Sequence, residues 1–233
     1  MKKMDLSKFH KTEEESAPET FDNKKGTVGF SYMNWGPFVL KTKMPDYIVK
    51  KLKTEGNKAK VSYNAHLAGQ IDNQFLYPQK VQEWFYTEIN PIIQAYRKGH
   101  CGYHGIKEIN LELRADDLWV NYMKAGDFNP KHTHGADYSF VLFLDIPKKL
   151  EQEQSKFEGT SSKPGSLMFE YTQQARPKWA TTGIQIEPKT GDFYMFPAML
   201  QHWVCPFKSN ITRISVSGNI RILNKHKLPI DYF

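Results

Sequence analysis

Apolar residues change their spacing partway along the chain. In "LYPQKVQEWFYTEINPIIQAYRKGH" (76–100), Val81, Trp84, Phe85 and Ile89 recur at three- and four-residue intervals. That is the period of one helical face, so the pattern predicts an amphipathic helix. Pro91 inside it has no backbone N–H and is expected to kink or split the helix. A shorter helix is predicted over "DYIVKKLKTEGNK" (46–58), with Asp46 as N-cap and Gly56 near its end. Ahead of it, "WGPFVLKTKMP" (35–45) alternates around Phe38 and Leu40 as a strand does.

Beyond residue 110 the segments become short, β-branched or aromatic, and punctuated by Gly, Pro and Asn. Strands are predicted over 111–126, 138–147, 165–171, 183–188, 191–198 and 211–223. Helices first and strands afterwards argue for helices packed on a mostly antiparallel sheet or barrel rather than for alternating βαβ units. The polar stretch "KKLEQEQSKFEGTSSKPG" (148–165) is expected to be a mobile loop between two strands, and a candidate lid.

Composition narrows the picture. Residues 1–25 show no apolar period and hold equal numbers of basic and acidic residues, so they are expected to form a flexible tail. Residues 26–233 then form one domain, long enough to bury a core without covalent staples. The net charge of +7 falls wholly on that domain. It permits a nucleic-acid partner, but the lysines are scattered and do not assign one. Cys101 and Cys205 form no C-x-x-C pair, which fits a reduced, cytoplasmic compartment. No run is apolar enough for a secretory signal or a membrane span.

Candidate chemistry sits between two predicted strands. "NPKHTHGADYS" (129–139) places His132 and His134 two residues apart. On an extended chain such residues point the same way and can grip one metal ion. Asp137 joins them only if Gly135 breaks the strand with a turn or bulge. A further ligand must come from elsewhere, and His202, read as a loop end after the strand "GDFYMFPA", is the candidate. His10, His66, His100, His104 and His226 read as ordinary surface or core histidines. In "ITRISVSGNIRI", Arg213, Ser215, Ser217, Asn219 and Arg221 share one face, and Ile214, Val216, Gly218, Ile220 and Ile222 the other. A wet polar face is the plain explanation. Close to a metal site, however, Arg213 and Ser215 make a natural anion clamp, because a guanidinium offers forked donors to a carboxylate.

Metal ligands with open positions beside an arginine for a carboxylate co-substrate are the logic of the non-haem iron oxygenases. On these residues the chain resembles the Fe(II)/2-oxoglutarate-dependent dioxygenase superfamily, and within it the oxygenases common in marine phages and bacteria. The matching pieces are "NWGPFVLKTK", "LAGQI", "WVNYMKAGDFNPKHTHGADYSFVLFLDIP" and "GDFYMFPAMLQHWVCPFKSNITRISVSGNI". The resemblance implies an α+β, mostly β domain. Its core would be a double-stranded β-helix of the jelly-roll or cupin-like kind, with the N-terminal helices packed on one sheet. It implies His132 and His202 as iron ligands, Arg213 and Ser215 as the clamp for the distal carboxylate of 2-oxoglutarate, and Asn121 as a further co-substrate contact. Tyr138 and Tyr122 are candidates for the same pocket.

The chain departs from the commonest pattern of that superfamily at one position. His134 stands where the motif has Asp or Glu. Either three histidines make the site or Asp137 completes it in place of His134. Imidazole ligands also suit zinc, copper and nickel. The implied activity uses Fe(II), 2-oxoglutarate and O2 to hydroxylate a protein side chain, with proline the foremost case, and converts 2-oxoglutarate to succinate. A second reading is oxidation of a nucleobase stacked on Trp119, Trp179, Trp203 or Tyr194. A third is a non-enzymatic three-histidine metal-binding barrel, in which Arg213 would have no role. A phage-encoded protein would work in the host cytoplasm.

Overall fold

The two-residue period of the second half becomes two antiparallel sheets. In this computed structural model the described residues are 19–23, 26–30, 36–105, 112–171 and 183–223. The larger sheet runs, in spatial order, β3 (Leu40–Lys43), β11 (Asp192–Pro197), β8 (Tyr138–Asp145), β13 (Arg213–Leu223), β6 (Glu112–Met123), β5 (Asn73–Leu76) and β4 (Val61–Ser62). The smaller runs β10 (Gly183–Ile186), β9 (Leu167–Glu170), β12 (Gln201–Val204) and β7 (Asn129–His132). Pairing among the described residues stops at the outer strands of each sheet, so the sheets do not close into a barrel.

Compact units comprise residues 1–35 and 36–233. In the first, β1 (Glu19–Asn23) pairs with β2 (Gly26–Phe30), and Phe21 stands opposite Val28. This hairpin lies across the boundary at which the tail was expected to end. Residues 1–18 of that tail lie outside the described residues, as do His10, Trp179 and His226.

In the second unit, helices α1 (Asp46–Gly56) and α2 (Gln79–Tyr103) cover one face of the large sheet. Pro45, not Asp46, occupies the N-cap of α1, and Asp46 is the first helical residue. There its charge faces the positive end of the helix dipole. Pro91 does not split α2. Proline forgoes one backbone hydrogen bond, but Ile89 on one side and Ile92 and Ile93 on the other are buried, which holds both halves to the sheet. Phe85 is fully buried against Leu118, Val120, Phe140 and Val216. A side chain of that size contributes about 1.5–3 kcal/mol on burial. None of the described helices is long and apolar enough to cross a membrane.

The stretch 148–165, expected to be a loop, opens with helix α3 (Lys148–Ser155). Lysine, glutamate and glutamine are good helix formers, and one buried apolar side chain, Leu150, suffices to anchor the turn. Gln154 donates to the Pro164 carbonyl, and the Glu153 carboxylate accepts the N–H groups of Lys208 and Ser209. Between the sheets lies a second apolar cluster, built on Met123, Phe143, Leu167, Phe169, Tyr194 and Phe196.

Gly218 marks a close approach of helix and sheet. A Cβ there would come within 2.5 Å of the Tyr86 hydroxyl and 2.6 Å of the Phe140 ring. Gly218→Ala is therefore expected to cost about 1–3 kcal/mol through overpacking. Urea unfolding checks this: the midpoint should fall while the slope stays constant.

Candidate functional site

Antiparallel pairing of β7 with β12 sets His132 opposite His202. His202 thus sits within a strand rather than at a loop end. His134 follows two residues after His132, just beyond β7, and its N–H donates to the Ala198 carbonyl at 2.9 Å. The ring centroids are 4.2 Å apart for His132 and His202, 4.8 Å for His132 and His134, and 5.0 Å for His134 and His202. One ring nitrogen from each histidine lies within 4.8 Å of the other two.

Backbone carbonyls fix how two of these rings present themselves. His132 Nδ1 lies 2.7 Å from the Pro130 carbonyl, and His202 Nδ1 lies 2.8 Å from that of Leu200. A proton held at Nδ1 leaves Nε2 as a bare lone pair, the form that binds metal. His134 Nε2 and His202 Nε2 are 3.2 Å apart. Two lone pairs at that distance repel unless a proton or a cation lies between them. Burial pushes His202 down to about 3 and His134 to about 4, and lowers His132 as well. At neutral pH the three rings are therefore uncharged and available as ligands.

Asp137 is not brought into this cluster. The chain does turn after Gly135, but the turn carries Asp137 to β13. Its carboxylate accepts the Ile222 N–H at 2.6 Å, and its own N–H donates to the Ile220 carbonyl at 3.1 Å. Burial raises the Asp137 carboxyl above its ordinary range. Arg221 donates to the Gly135 carbonyl and to Asp116. Together these bonds fasten the loop that carries His134.

The histidines line a cavity of about 210 Å³ between the sheets, whose opposite wall includes Arg213, Ser215 and Asn121. Arg213 is 2% exposed. Its guanidinium lies over the Phe143 ring, and one Nη contacts Met123 Sδ. Nε and the other Nη have no hydrogen-bond partner. Burial lowers Arg213 to about 10, which leaves it charged at neutral pH. A buried guanidinium with idle donors and, among the described residues, no carboxylate paired with it is costly unless an anion enters the cavity.

Ser215 and Asn121 stand side by side in register, and Asn121 Nδ2 donates to Ser215 Oγ at 3.4 Å. Tyr138 and Tyr122 lie on the other face of the sheet. Tyr138 packs edge-on against Tyr96, and the Tyr122 hydroxyl donates to Asn57. Of the candidate stacking aromatics, only Trp119 lines the cavity among the described residues. Tyr194 is buried against Phe143, and Trp203 lies under the Lys131 ammonium. His66 lines the cavity and packs at a tilt against Tyr63, whereas His100 packs against His104 at the end of α2.

Gln74 is a cavity residue that the sequence reading missed. It lies on β5, whose four residues carry no periodic signal and run almost directly into α2. The sequence offers as a cue only a polar side chain directly ahead of the apolar Phe75, Leu76 and Tyr77.

Residues 117–219 match the family described as "Putative 2OG-Fe(II) oxygenase". Among solved structures, the chain is similar to a prolyl-4-hydroxylase from Pseudomonas putida. The match has a TM-score of 0.50 and 16% identity over 78% of this chain and 91% of the other. It is similar also to the viral collagen prolyl hydroxylase vCPH from Paramecium Bursaria Chlorella virus-1 in its 2-oxoglutarate complex. That match has a TM-score of 0.50 and 16% identity over 79% of this chain and 96% of the other. HygX from Streptomyces hygroscopicus, with nickel, 2-oxoglutarate and hygromycin B bound, gives a TM-score of 0.52 and 10% identity over 79% and 82%. These likenesses establish the fold as the double-stranded β-helix. No curated protein matches the chain.

The placement of His134 and Asp137 has a direct test. His134→Ala is expected to lose most of the zinc or iron(II) bound at stoichiometric metal. Asp137→Ala should keep the metal and lose about 1–3 kcal/mol of stability, because the Ile222 N–H is left without its partner. Metal analysis of the two purified variants decides: metal lost from Asp137→Ala and kept by His134→Ala would reverse the assignment.

Proposed function

We propose, for a chain whose residues 117–219 match the 2OG-Fe(II) oxygenase family, that His132, His134 and His202 hold the iron while Arg213 and Ser215 hold 2-oxoglutarate. The protein is an iron(II)- and 2-oxoglutarate-dependent dioxygenase. The observation that carries the residue assignment is the buried Arg213, charged and with idle donors, in the same cavity as three uncharged imidazoles. The donor sets suit the two groups. Imidazole nitrogens are good ligands for a first-row divalent ion, and a forked guanidinium beside a hydroxyl suits a carboxylate.

When bound, iron(II) and 2-oxoglutarate together supply the oxidising power that splits O2, one oxygen atom going to succinate and the other into a substrate C–H bond, with release of CO2. The chain's own residues prepare the site for this. The Pro130 and Leu200 carbonyls hold two rings with Nε2 free. Arg213 neutralises the distal carboxylate, and the Ser215 hydroxyl can donate to it. Phe143, Leu167 and Phe196 form an apolar wall that excludes water, which strengthens each of these polar contacts.

For the substrate we infer a protein side chain, with proline foremost. Trp119 and His66 line the cavity, and Tyr63, outside its lining, packs against both rings. Tyr63 and His66 are 4.8 Å apart between ring centroids, Tyr63 and Trp119 5.8 Å, and Trp119 and His134 6.3 Å. Trp119 and His66 offer ring faces against which a flat or apolar side chain can pack. Two of the structural neighbours are prolyl hydroxylases, and a third, from Trichoplax adhaerens, is described in complex with a peptide fragment. These likenesses support a peptide occupant. The nucleobase reading would draw on the same Trp119 ring, but its other described stacking candidates, Tyr194 and Trp203, do not line the cavity.

Anaerobic addition of 2-oxoglutarate to the iron(II)-loaded protein should raise a visible charge-transfer band. In Arg213→Ala the metal should stay bound, while 2-oxoglutarate affinity falls at least about tenfold, as expected on losing a hydrogen-bonded charged partner. An unchanged band in that variant would falsify the role of Arg213. For the substrate, incubating the enzyme, iron(II), 2-oxoglutarate and O2 with a panel of proline-containing peptides should add one oxygen atom to a proline, seen by mass spectrometry. Peptides left unmodified while a nucleic acid gains oxygen would replace the substrate assignment.

A further inference from the structure

Gln74 lies outside the family match, on β5, yet it reaches the cavity. Register places Gln74 beside Asn121 and Asn121 beside Ser215, on three neighbouring strands. Gln74 Nε2 donates to Asn121 Oδ1 at 2.7 Å, and Asn121 Nδ2 donates to Ser215 Oγ at 3.4 Å. Exposures of 1%, 8% and 4% leave water little access to replace either bond. The bonds have a direction. Because Asn121 Oδ1 is taken by Gln74, the asparagine must turn its amide nitrogen to Ser215. Ser215 Oγ then accepts, and its own proton is free to be donated into the cavity.

Local stability does not account for this glutamine. Its other amide atom, Oε1, is buried without a partner. A side chain kept only for packing would be apolar, since an unpaired buried amide oxygen costs about 1–3 kcal/mol. The backbone also makes room for it: a Cβ at Gly69 would stand 3.1 Å from Gln74 Nε2.

We propose that Gln74 is a positioning residue for 2-oxoglutarate, acting through Asn121 to keep the Ser215 hydroxyl a donor towards the co-substrate carboxylate. This rests on the assignment of Arg213 and Ser215 given above. Without Gln74 the Asn121 amide is free to rotate and offer Oδ1 to Ser215. The hydroxyl would then donate to Asn121 and turn a lone pair towards the carboxylate, replacing an attraction with a repulsion.

The test is a double-mutant cycle read by calorimetry, with 2-oxoglutarate titrated into the zinc-loaded full-length protein, which binds without turnover. Gln74→Leu and Ser215→Ala are each expected to weaken 2-oxoglutarate about tenfold, the scale of one hydrogen bond to a charged group. Zinc affinity should not change. The double variant should bind no more weakly than Ser215→Ala alone, because the effect of Gln74 passes through that hydroxyl. A purely structural role would instead give losses that multiply, and that outcome overturns the proposal. So does Gln74→Leu binding within about twofold of wild type, well below the cost of a lost charge-assisted bond. Gln74→Met serves the same cycle if the leucine variant does not fold. Failure of the wild-type protein to bind 2-oxoglutarate would remove the co-substrate assignment itself, whereas wild-type binding with an unaffected Gln74 variant removes only the role of Gln74.

Discussion

Strand β13 must satisfy two environments on alternate residues, and the rest of the molecule is arranged around that requirement. Ile214, Val216, Ile220 and Ile222 enter the core under the helices, while Arg213, Ser215 and Ser217 face the cavity. Side chains alternate with period two, so a slip of one residue would drive Arg213 into hydrocarbon and fill the cavity with isoleucine. Long pairing with β6 on one side and β8 on the other fixes the phase. The close approach of α2 at Gly218 reinforces it from the helix face.

The cavity is electrostatically unusual in what it lacks. Its three imidazoles are neutral, no carboxylate joins them among the described residues, and the buried guanidinium opposite keeps its charge. A divalent ion bound there would leave a surplus of positive charge in a poorly solvated space. A dianionic co-substrate offsets most of that surplus. On the proposed assignment His134 would bring no negative charge to the metal, so the site would favour an anionic co-substrate that supplies it.

Placement of the three histidine rings depends on bonds made outside their cluster. The Pro130 and Leu200 carbonyls orient two rings. The His134 loop is fastened at Ala198, at Ile222 through Asp137, and at Gly135 through Arg221. A site assembled from one strand pair and one loop keeps its geometry only if the loop is as firmly held as the strands. Asp137, the residue that looked like a rival ligand, does part of that fastening.

Much was legible in the sequence where a local period or a short motif carried the information. The helical face of 79–103, the alternation along 213–222 and the H-x-H spacing each follow from stereochemistry acting over a few residues. On its own the sequence thus determined helices α1 and α2, the mostly antiparallel strands and the residue types of a candidate metal and anion site. It could not show that Pro91 leaves α2 unbroken, because that depends on isoleucines anchored to a sheet distant in sequence. Nor did it reveal β5 and Gln74, since four residues beside a long helix have no period of their own. The relation of His134 to Asp137 was open for the same reason: both turn outcomes are locally allowed, and contact with Ile222 selects one. Only the tertiary structure decided which polar residues meet. Hydrogen bonds and charges act over a few ångströms of space, and strands that are adjacent in the sheet lie far apart along the chain.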